Sequence, residues 1–385
     1  MGTNALDRNT TNLLRAVVWP PAERRGPAVA ELATKISDWK ETIDAALQHG
    51  ILPILYLELV ANRTAIPAEA LEIARIEFES NAFHCLANAA ELLEVLKAFK
   101  KAGIAAMPFK GVVLAASAYG DIIARPAGDL DVLIRFSDLL QATQILKERG
   151  YELKTKVLED GYPEAANYFE YHFDRPEDGM VVELRWRLEL TQPRYRHNLG
   201  IDWVWPRRRM VKLAGADVPN FDAVTGLLML CMHGSKHAWS RLVWICDVAK
   251  LIEREPELDW DSVRREAKRV GLWQCLALGV LLAGRVASAR VPPEVRRDFE
   301  ADRRMRNLTE FLEEHLVEEP GKMPGGWMPY NLQILGFRDR SRVILSPSFL
   351  RPGEHDRAIV KLPKILEPLY YVIRPLRILL DRTAR

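Results

Sequence analysis

A mixed α/β (α+β) fold, a small sheet flanked by helical regions, is what this sequence predicts, and three observations predict it. Residues 29–102 carry apolar positions at helical spacing and are rich in Ala, Leu and Glu. From 104 onward the pattern turns to short apolar runs, as where Leu130, Val132 and Ile134 alternate with Asp129 and Asp131. Beyond 222 the helical spacing returns and holds as far as 318.

The elements follow in order. Pro53 and Pro67 favour helix ends or starts and divide 29–102 into three or four helices. The longest, 81–101, ends at Gly103 as a C-cap and delivers the chain to a strand over 104–109. A turn at Lys110-Gly111, a helix over 112–119 and a loop through Arg125-Pro126 and Gly128 lead to the strand of Asp129 and Asp131. A helix over 137–150 takes Ser137 as its N-cap, and strands follow near 151–157, 168–174 and 180–187. After Trp203, Trp205 and the basic triplet Arg207-Arg208-Arg209, a hairpin-like stretch runs to Phe221, then helices over 222–253, 260–270, 272–285 and 293–318. Pro320-Gly321 and Pro324-Gly325-Gly326 mark a linker. Four regions result: an N-terminal helical region (1–102), a candidate catalytic domain (103–200), a helical domain completing a cleft (201–318), and a linker with a basic amphipathic tail (319–385).

A chain of 385 residues with 48% hydrophobic content can bury real cores, and global disorder is excluded. Its formal net charge of +2 provides no sequence-wide basic field, so a nucleic-acid partner is not expected. Cys85, Cys231, Cys246 and Cys275 sit in apolar helical contexts without close pairs, as buried thiols of a reducing cytoplasm do. The first residues lack the basic start and apolar core of a signal peptide, and the best apolar run, 275–282, is less than half of the roughly 20 residues a bilayer span needs. A cytoplasmic protein is expected. Between Gly336 and Arg385, eleven Lys/Arg against five Asp/Glu give a local net of +6. The preferred reading is a final helix packed on the amino-terminal helices with its charges in water; contact with a membrane surface is the sharper, less favoured one.

Asp129 and Asp131 stand at i and i+2, so on a strand both project from one face. Glu183 shares a parity with Val181 and Arg185, opposite Val182, Leu184 and Trp186. On spacing alone, acids on a solvated face and acids around a metal are about equally good readings. Side by side such acids repel unless a cation joins them, and a hard divalent ion such as Mg²⁺ accepts carboxylate oxygens and leaves room for phosphates. Lys110 and Gly111 upstream favour the metal reading, because glycine permits close backbone approach to phosphate and a following helix offers its positive end. Arg125 is open between contacting phosphate and bracing Asp129 or Asp131.

With Phe109-Lys110-Gly111, Tyr119, Arg125-Pro126, Gly128-Asp129-Leu130-Asp131, Val182-Glu183-Leu184-Arg185-Trp186 and His233-x-x-Lys236-His237 in view, the sequence resembles the nucleotidyltransferases of the DNA polymerase beta superfamily, and more closely a bacterial family of uncharacterised nucleotidyltransferases. The resemblance implies a polymerase-beta-like mixed sheet and a nucleoside triphosphate (NTP) substrate. It also implies Mg²⁺, with Mn²⁺ as an alternative, held by Asp129 and Asp131, with Glu183 serving the ion that activates the acceptor nucleophile. The superfamily turn carries Gly-Ser or Gly-Gly where this chain has Gly111-Val112, which leaves Lys110 as the charged phosphate ligand. The closer family reads Glu-Leu-His-Trp where this chain has Arg185 in place of the His. The function expected is transfer of a nucleotidyl group to a hydroxyl of a small molecule, peptide or protein. The rival is a nucleotide-binding protein of the same fold with weak or no turnover, which Val112 supports.

His233, Lys236, His237, Ser240, Arg241, Trp244 and Asp247 form a polar and aromatic stripe at helical spacing, opposite Leu228, Cys231, Leu242, Val243 and Cys246. Such stripes are usually the solvated side of a helix, but Trp and two His suit a cleft better. The stripe is therefore placed across from the carboxylates, with Lys236 and His237 as nucleotide ligands. Zinc is not expected from His233 and His237, since no Glu lies within the pair as in His-Glu-x-x-His. His172 falls on the Glu183 face or on the apolar one according to the length of the loop around 174–179, and both registers remain open.

Overall fold

A helical core and a sheet core are bridged by one long helix. The computed structural model describes residues 6–19, 22–163, 169–188 and 199–317, together with 330, 334, 366 and 369–371. Helices α1 (Arg8–Val18), α2 (Ala22–Ala33), α3 (Trp39–His49) and α4 (Leu52–Ala61) precede α5 (Ala68–Lys101). Asp7 and Asp38 cap α1 and α3 through their carboxylates, and Gly50 closes α3 at φ 70°. Pro53 sits in the first turn of α4 and Pro67 directly precedes α5, so both prolines start helices as expected.

Helix α5 begins earlier than position 81. Asn81 stays inside it because its side-chain amide donates to Ile123 O at 3.1 Å instead of competing for nearby backbone. At about 1.5 Å per residue the helix is about 50 Å long. Its Ala70 and Ala74 pack in the helical core with Leu13, Ile43 and Leu55, whereas Cys85, Leu92, Val95 and Phe99 pack in the sheet core.

The sheet holds β1 (Met107–Pro108), β2 (Leu130–Leu133), β3 (Glu152–Leu153), β4 (Glu170–Asp174) and β5 (Val181–Arg185) in the order β1-β2-β5-β4-β3. β2 and β5 are parallel, and the other pairings are antiparallel. The parallel pair is made possible by the long return from β2 through α7 (Leu139–Glu148) and the β3–β4 hairpin. Between β1 and β2, α6 (Gly111–Leu114) widens at once into a π-type turn, Ala115–Tyr119. Ser137 does not cap α7. It lies in a 3₁₀ turn, Phe136–Asp138, and its hydroxyl donates to Asp138 Oδ1 at 3.1 Å.

After α8 (Ile201–Val204), strands β6 (Arg209–Leu213) and β7 (Ala216–Asn220) form the expected hairpin, closed by Ala214 and Gly215, both at positive φ. Then come α9 (Ala223–Lys236), α10 (Leu242–Arg254), α11 (Trp260–Val270), α12 (Trp273–Val286), α13 (Pro293–Glu300) and α14 (Arg303–His315).

The single helix expected over 222–253 is broken between α9 and α10. Trp239 N–H donates to Gly234 O at 2.8 Å, and Ala238 and Trp239 adopt φ of 50° and 57°. The indole of Trp239 is wholly buried against Gly234 and Gly279; a Cβ on Gly234 would lie 2.4 Å from the ring. Burying about 150–250 Å² of indole is worth about 4 kcal/mol or more, which offsets much of the about 1–2 kcal/mol for each left-handed residue and the cost of an indole N–H buried without a partner. The helix expected over 293–318 is likewise two, with Asp302 capping α14 through Arg304 N–H.

The four cysteines are buried and unpaired. Among the described residues no helix is long and apolar enough to cross a membrane. The tail expected over 336–385 to pack as a final helix lies outside the described residues except at 366 and 369–371, of which Tyr370 is buried.

Candidate active site

The register of β2 against β5 brings the acids together. Asp131 lies directly beside Glu183, and Asp129 immediately precedes β2. One carboxylate oxygen from each of Asp129, Asp131 and Glu183 lies within 4.8 Å of the others, the one cluster of its kind among the described residues. Burial, then the charges of Asp131 and Glu183, push the Asp129 carboxyl up to about 6. Burial acts the same way on Asp131, but Lys110 and Arg185 outweigh it and hold this carboxyl below the ordinary range.

Lys110 and Gly111 form the tight turn beside the acids. Phe109 N–H donates to Asp131 O at 3.1 Å, and Lys110 Nζ reaches Asp131 Oδ1 at 3.2 Å. Lys110 has φ 60° and ψ −154°, a region nearly reserved for glycine, at a cost of about 1–3 kcal/mol. Gly111 has φ 44°, and a Cβ there would come within 3.3 Å of Asp129 O, so glycine is required to let the turn lie against the Asp129 backbone. The turn runs directly into α6 and the π-type turn that continues it to Tyr119, the helix expected there.

Arg125 braces neither Asp129 nor Asp131. Its Nε and Nη2 donate to the two oxygens of Asp247 at 2.7 and 2.9 Å, and its Nη1 donates to Pro126 O at 2.9 Å. Tyr119 O–H donates to Asp247 Oδ1 at 2.8 Å. Arg125 thus holds the loop before β2 against α10 while also lining the cleft described below, and Asp247 is buried in this network, away from the stripe expected of it.

The break at 237–241 does not disperse the rest of the stripe. His233, His237 and Trp244 form an aromatic corner, with ring centroids 4.8 Å apart for the two His, 5.5 Å for His233 and Trp244, and 5.0 Å for His237 and Trp244. Burial, with help from Lys110, takes His233 well below its ordinary pKa; burial and Lys236 take His237 to about 4. Both rings are neutral near pH 7, suited to stacking rather than to charge. Lys236 has no hydrogen bond or ion pair among the described residues, and burial followed by the Arg185 charge lowers its pKa.

These groups line one polar cleft of about 730 Å³: Lys110, Gly111, Asp129, Asp131, Glu183 and Arg185 on the sheet side, and His233, Lys236, His237 and Trp244 on the helical side. Asn81, His84 and Asn88 of α5 close its third side and were not anticipated. Their i, i+3, i+7 spacing within an Ala- and Leu-rich helix was the available signal. Glu170 was also missed, although it shares a strand parity with His172. His172 does pair with Glu183 across β4 and β5, which settles its register, but its ring turns to Asp174 at 2.8 Å and it does not line the cleft.

Carboxylates clustered in this way, with cations beside them, could hold a metal ion. A family model described as uncharacterised nucleotidyltransferase matches residues 36–288, well over half of the chain, and the chain belongs to that family. No curated protein matches the sequence.

Proposed function

We propose that this protein is a Mg²⁺-dependent nucleotidyltransferase acting on an NTP and an acceptor hydroxyl of a small molecule, peptide or protein. The observation that carries this reading is the trio of carboxylates whose ligand atoms lie within 4.8 Å of one another. Asp129, crowded by the other two acids, has no hydrogen bond or ion pair among the described residues, and such an oxygen-only set suits Mg²⁺, or Mn²⁺ in its place. Asp129, Asp131 and Glu183 would hold the ion, which supplies charge neutralisation for the phosphates.

In the reaction the acceptor oxygen bonds to the α-phosphorus, the bond to the β-phosphate oxygen breaks, and pyrophosphate leaves. Glu183 accepts the hydroxyl proton, a role typically worth about 10² to 10⁴ in rate. Lys110 and Lys236 bind phosphate oxygens. Trp244 and His237 offer flat faces for the base, and Arg125, which lines the cleft, positions the Asp129 loop.

A nucleotide-binding protein with weak or absent turnover is the second reading. Val112, buried directly after the turn glycine, favours it, since no hydroxyl stands there to hold a phosphate. The near-neutral chain favours a small-molecule or polypeptide acceptor over nucleic acid, and four free buried thiols suit the cytoplasm. Incubating cell extract with each of the four α-³²P-labelled NTPs and Mg²⁺ tests these points. The expected product is a labelled small molecule or protein that disappears with Asp131→Asn. Tight binding without label transfer would select the second reading, and a nuclease-sensitive labelled band would overturn the acceptor class.

A further inference from the structure

Arg185 already holds acids that the metal reading needs. Its Nε lies 3.1 Å from Asp131 Oδ1 and its Nη1 lies 2.6 Å from Glu170 Oε2, while its Nη2 pairs with Glu183 Oε2. Each guanidinium nitrogen thus meets a different carboxylate. Lys110 Nζ places a second cation on the same Asp131 oxygen, at 3.2 Å. The sheet fixes the arrangement, because Arg185 stands between Leu133 of β2 and Glu170 of β4 in the pairing register and is 7% exposed. Two of the three candidate ligands therefore carry a resident counter-charge, and Asp129 carries none.

Two entry routes for a divalent ion differ in what they offer this guanidinium. A free ion must displace it from Asp131 and Glu183 and leave it buried with Glu170 alone. An ion carried on a triphosphate brings phosphate oxygens, to which a planar guanidinium bonds in bidentate fashion. Lys236, a cation with no carboxylate partner among the described residues, lines the same cleft and suits the same anion.

We propose that Arg185 is a resident counter-ion that makes this site load Mg²⁺ as its triphosphate complex rather than as the free ion, the guanidinium passing from Asp131 and Glu183 to phosphate oxygens as the complex binds. The inference rests on reading Asp129, Asp131 and Glu183 as metal ligands.

Equilibrium dialysis, reading Mn²⁺ retained with the protein above a protein-free blank, tests it on the full chain, with and without inorganic tripolyphosphate, for wild type, Arg185→Gln and Glu170→Gln, each checked for folding by thermal melting. Without tripolyphosphate, Arg185→Gln should bind Mn²⁺ about tenfold or more tightly than wild type, because one positive charge has left the ligands. Glu170→Gln should bind more weakly than wild type, because Arg185 then bears wholly on Asp131 and Glu183. General damage to the fold would weaken both. Tripolyphosphate should tighten Mn²⁺ binding strongly in wild type and much less in Arg185→Gln. Should Arg185→Gln fail to fold, Arg185→Lys takes its place, since one ammonium cannot span three acids, and a smaller gain in free-ion affinity is expected. A folded Arg185 variant that binds free Mn²⁺ no more tightly than wild type overturns the counter-ion role alone. Absence of Mn²⁺ uptake by every variant, with tripolyphosphate present, overturns the metal site itself and this inference with it.

Discussion

Two buried arginines, about equally hidden, are used in opposite ways. Arg125 gives two nitrogens to one carboxylate, Asp247, with Tyr119 completing the acid's hydrogen bonds, and the result joins the loop before β2 to α10. Arg185 spreads its three nitrogens over Asp131, Glu183 and Glu170, all at the edge of the cleft. In the first region charge is matched one to one, which is the condition for a buried pair to act as a strut. In the second, acids outnumber the cations that reach them and Asp129 is left over, which is the condition for binding a further cation. The contrast separates a matched ion pair from an acid-rich cluster better than burial does, since Asp131 and Asp247 are both almost wholly buried.

Neutralising one acid in each region breaks the comparison open. Asp131→Asn should lower Mg²⁺-dependent nucleotidyl transfer by about 10³-fold or more, the loss of several kcal/mol of charge stabilisation, measured as pyrophosphate release. Its melting temperature should move little, because Arg185 keeps Glu183 and Glu170. Asp247→Asn should do the reverse. Leaving Arg125 buried without its counter-charge should lower the unfolding free energy by about 3–5 kcal/mol in urea titration, an effect larger than any on metal binding by the folded fraction. An Asp247→Asn protein of wild-type stability would show that the strut carries no load.

His49 extends the comparison to a buried titratable group with no carboxylate at all. It is wholly buried, and neither ring nitrogen makes a hydrogen bond of good geometry. Burial, partly offset by the Val317 backbone and reinforced by Arg241, lowers its pKa from 6.5 to about 4. Above pH 6.5 the ring is neutral in both folded and unfolded chains. As pH falls from 6.5 towards 4 only the unfolded chain takes up the proton, so stability drops by about 3 kcal/mol across that window. Urea unfolding at several pH values should show this slope reduced in His49→Leu, and an unchanged slope would remove His49 from the account.

The smallest effect sharpens the cleft side. Lys236→Ala should weaken tripolyphosphate binding about tenfold, about 1.4 kcal/mol, as read by calorimetry, with no loss of stability because this desolvated ammonium has no anion to leave behind. Equal binding by both proteins would move the phosphates elsewhere in the cleft.

Much of the fold was legible because it is written in local periods. The alternation around Asp129 and Asp131, the prolines that start α4 and α5, and the hairpin before Phe221 each depend on a few neighbouring residues. The break between α9 and α10 was not legible. Nothing between 237 and 241 is a helix breaker by composition; the chain turns there because an indole finds a slot between Gly234 and Gly279, and Gly279 is forty residues away in sequence. Arg125 misled for the same reason, its partner Asp247 lying 122 positions on.

The sequence by itself determined which acids share a strand face, that a Lys-Gly turn precedes them, and to which family the chain belongs, because residue parity and motif spacing survive any packing of the elements. Only the tertiary structure decided that β2 and β5 lie parallel with Asp131 beside Glu183, that Arg125 is a strut, and that Arg185 sits across the acids. Those outcomes depend on which strand edges meet and which buried charges find partners, and such pairings are set by contacts between segments far apart in the chain.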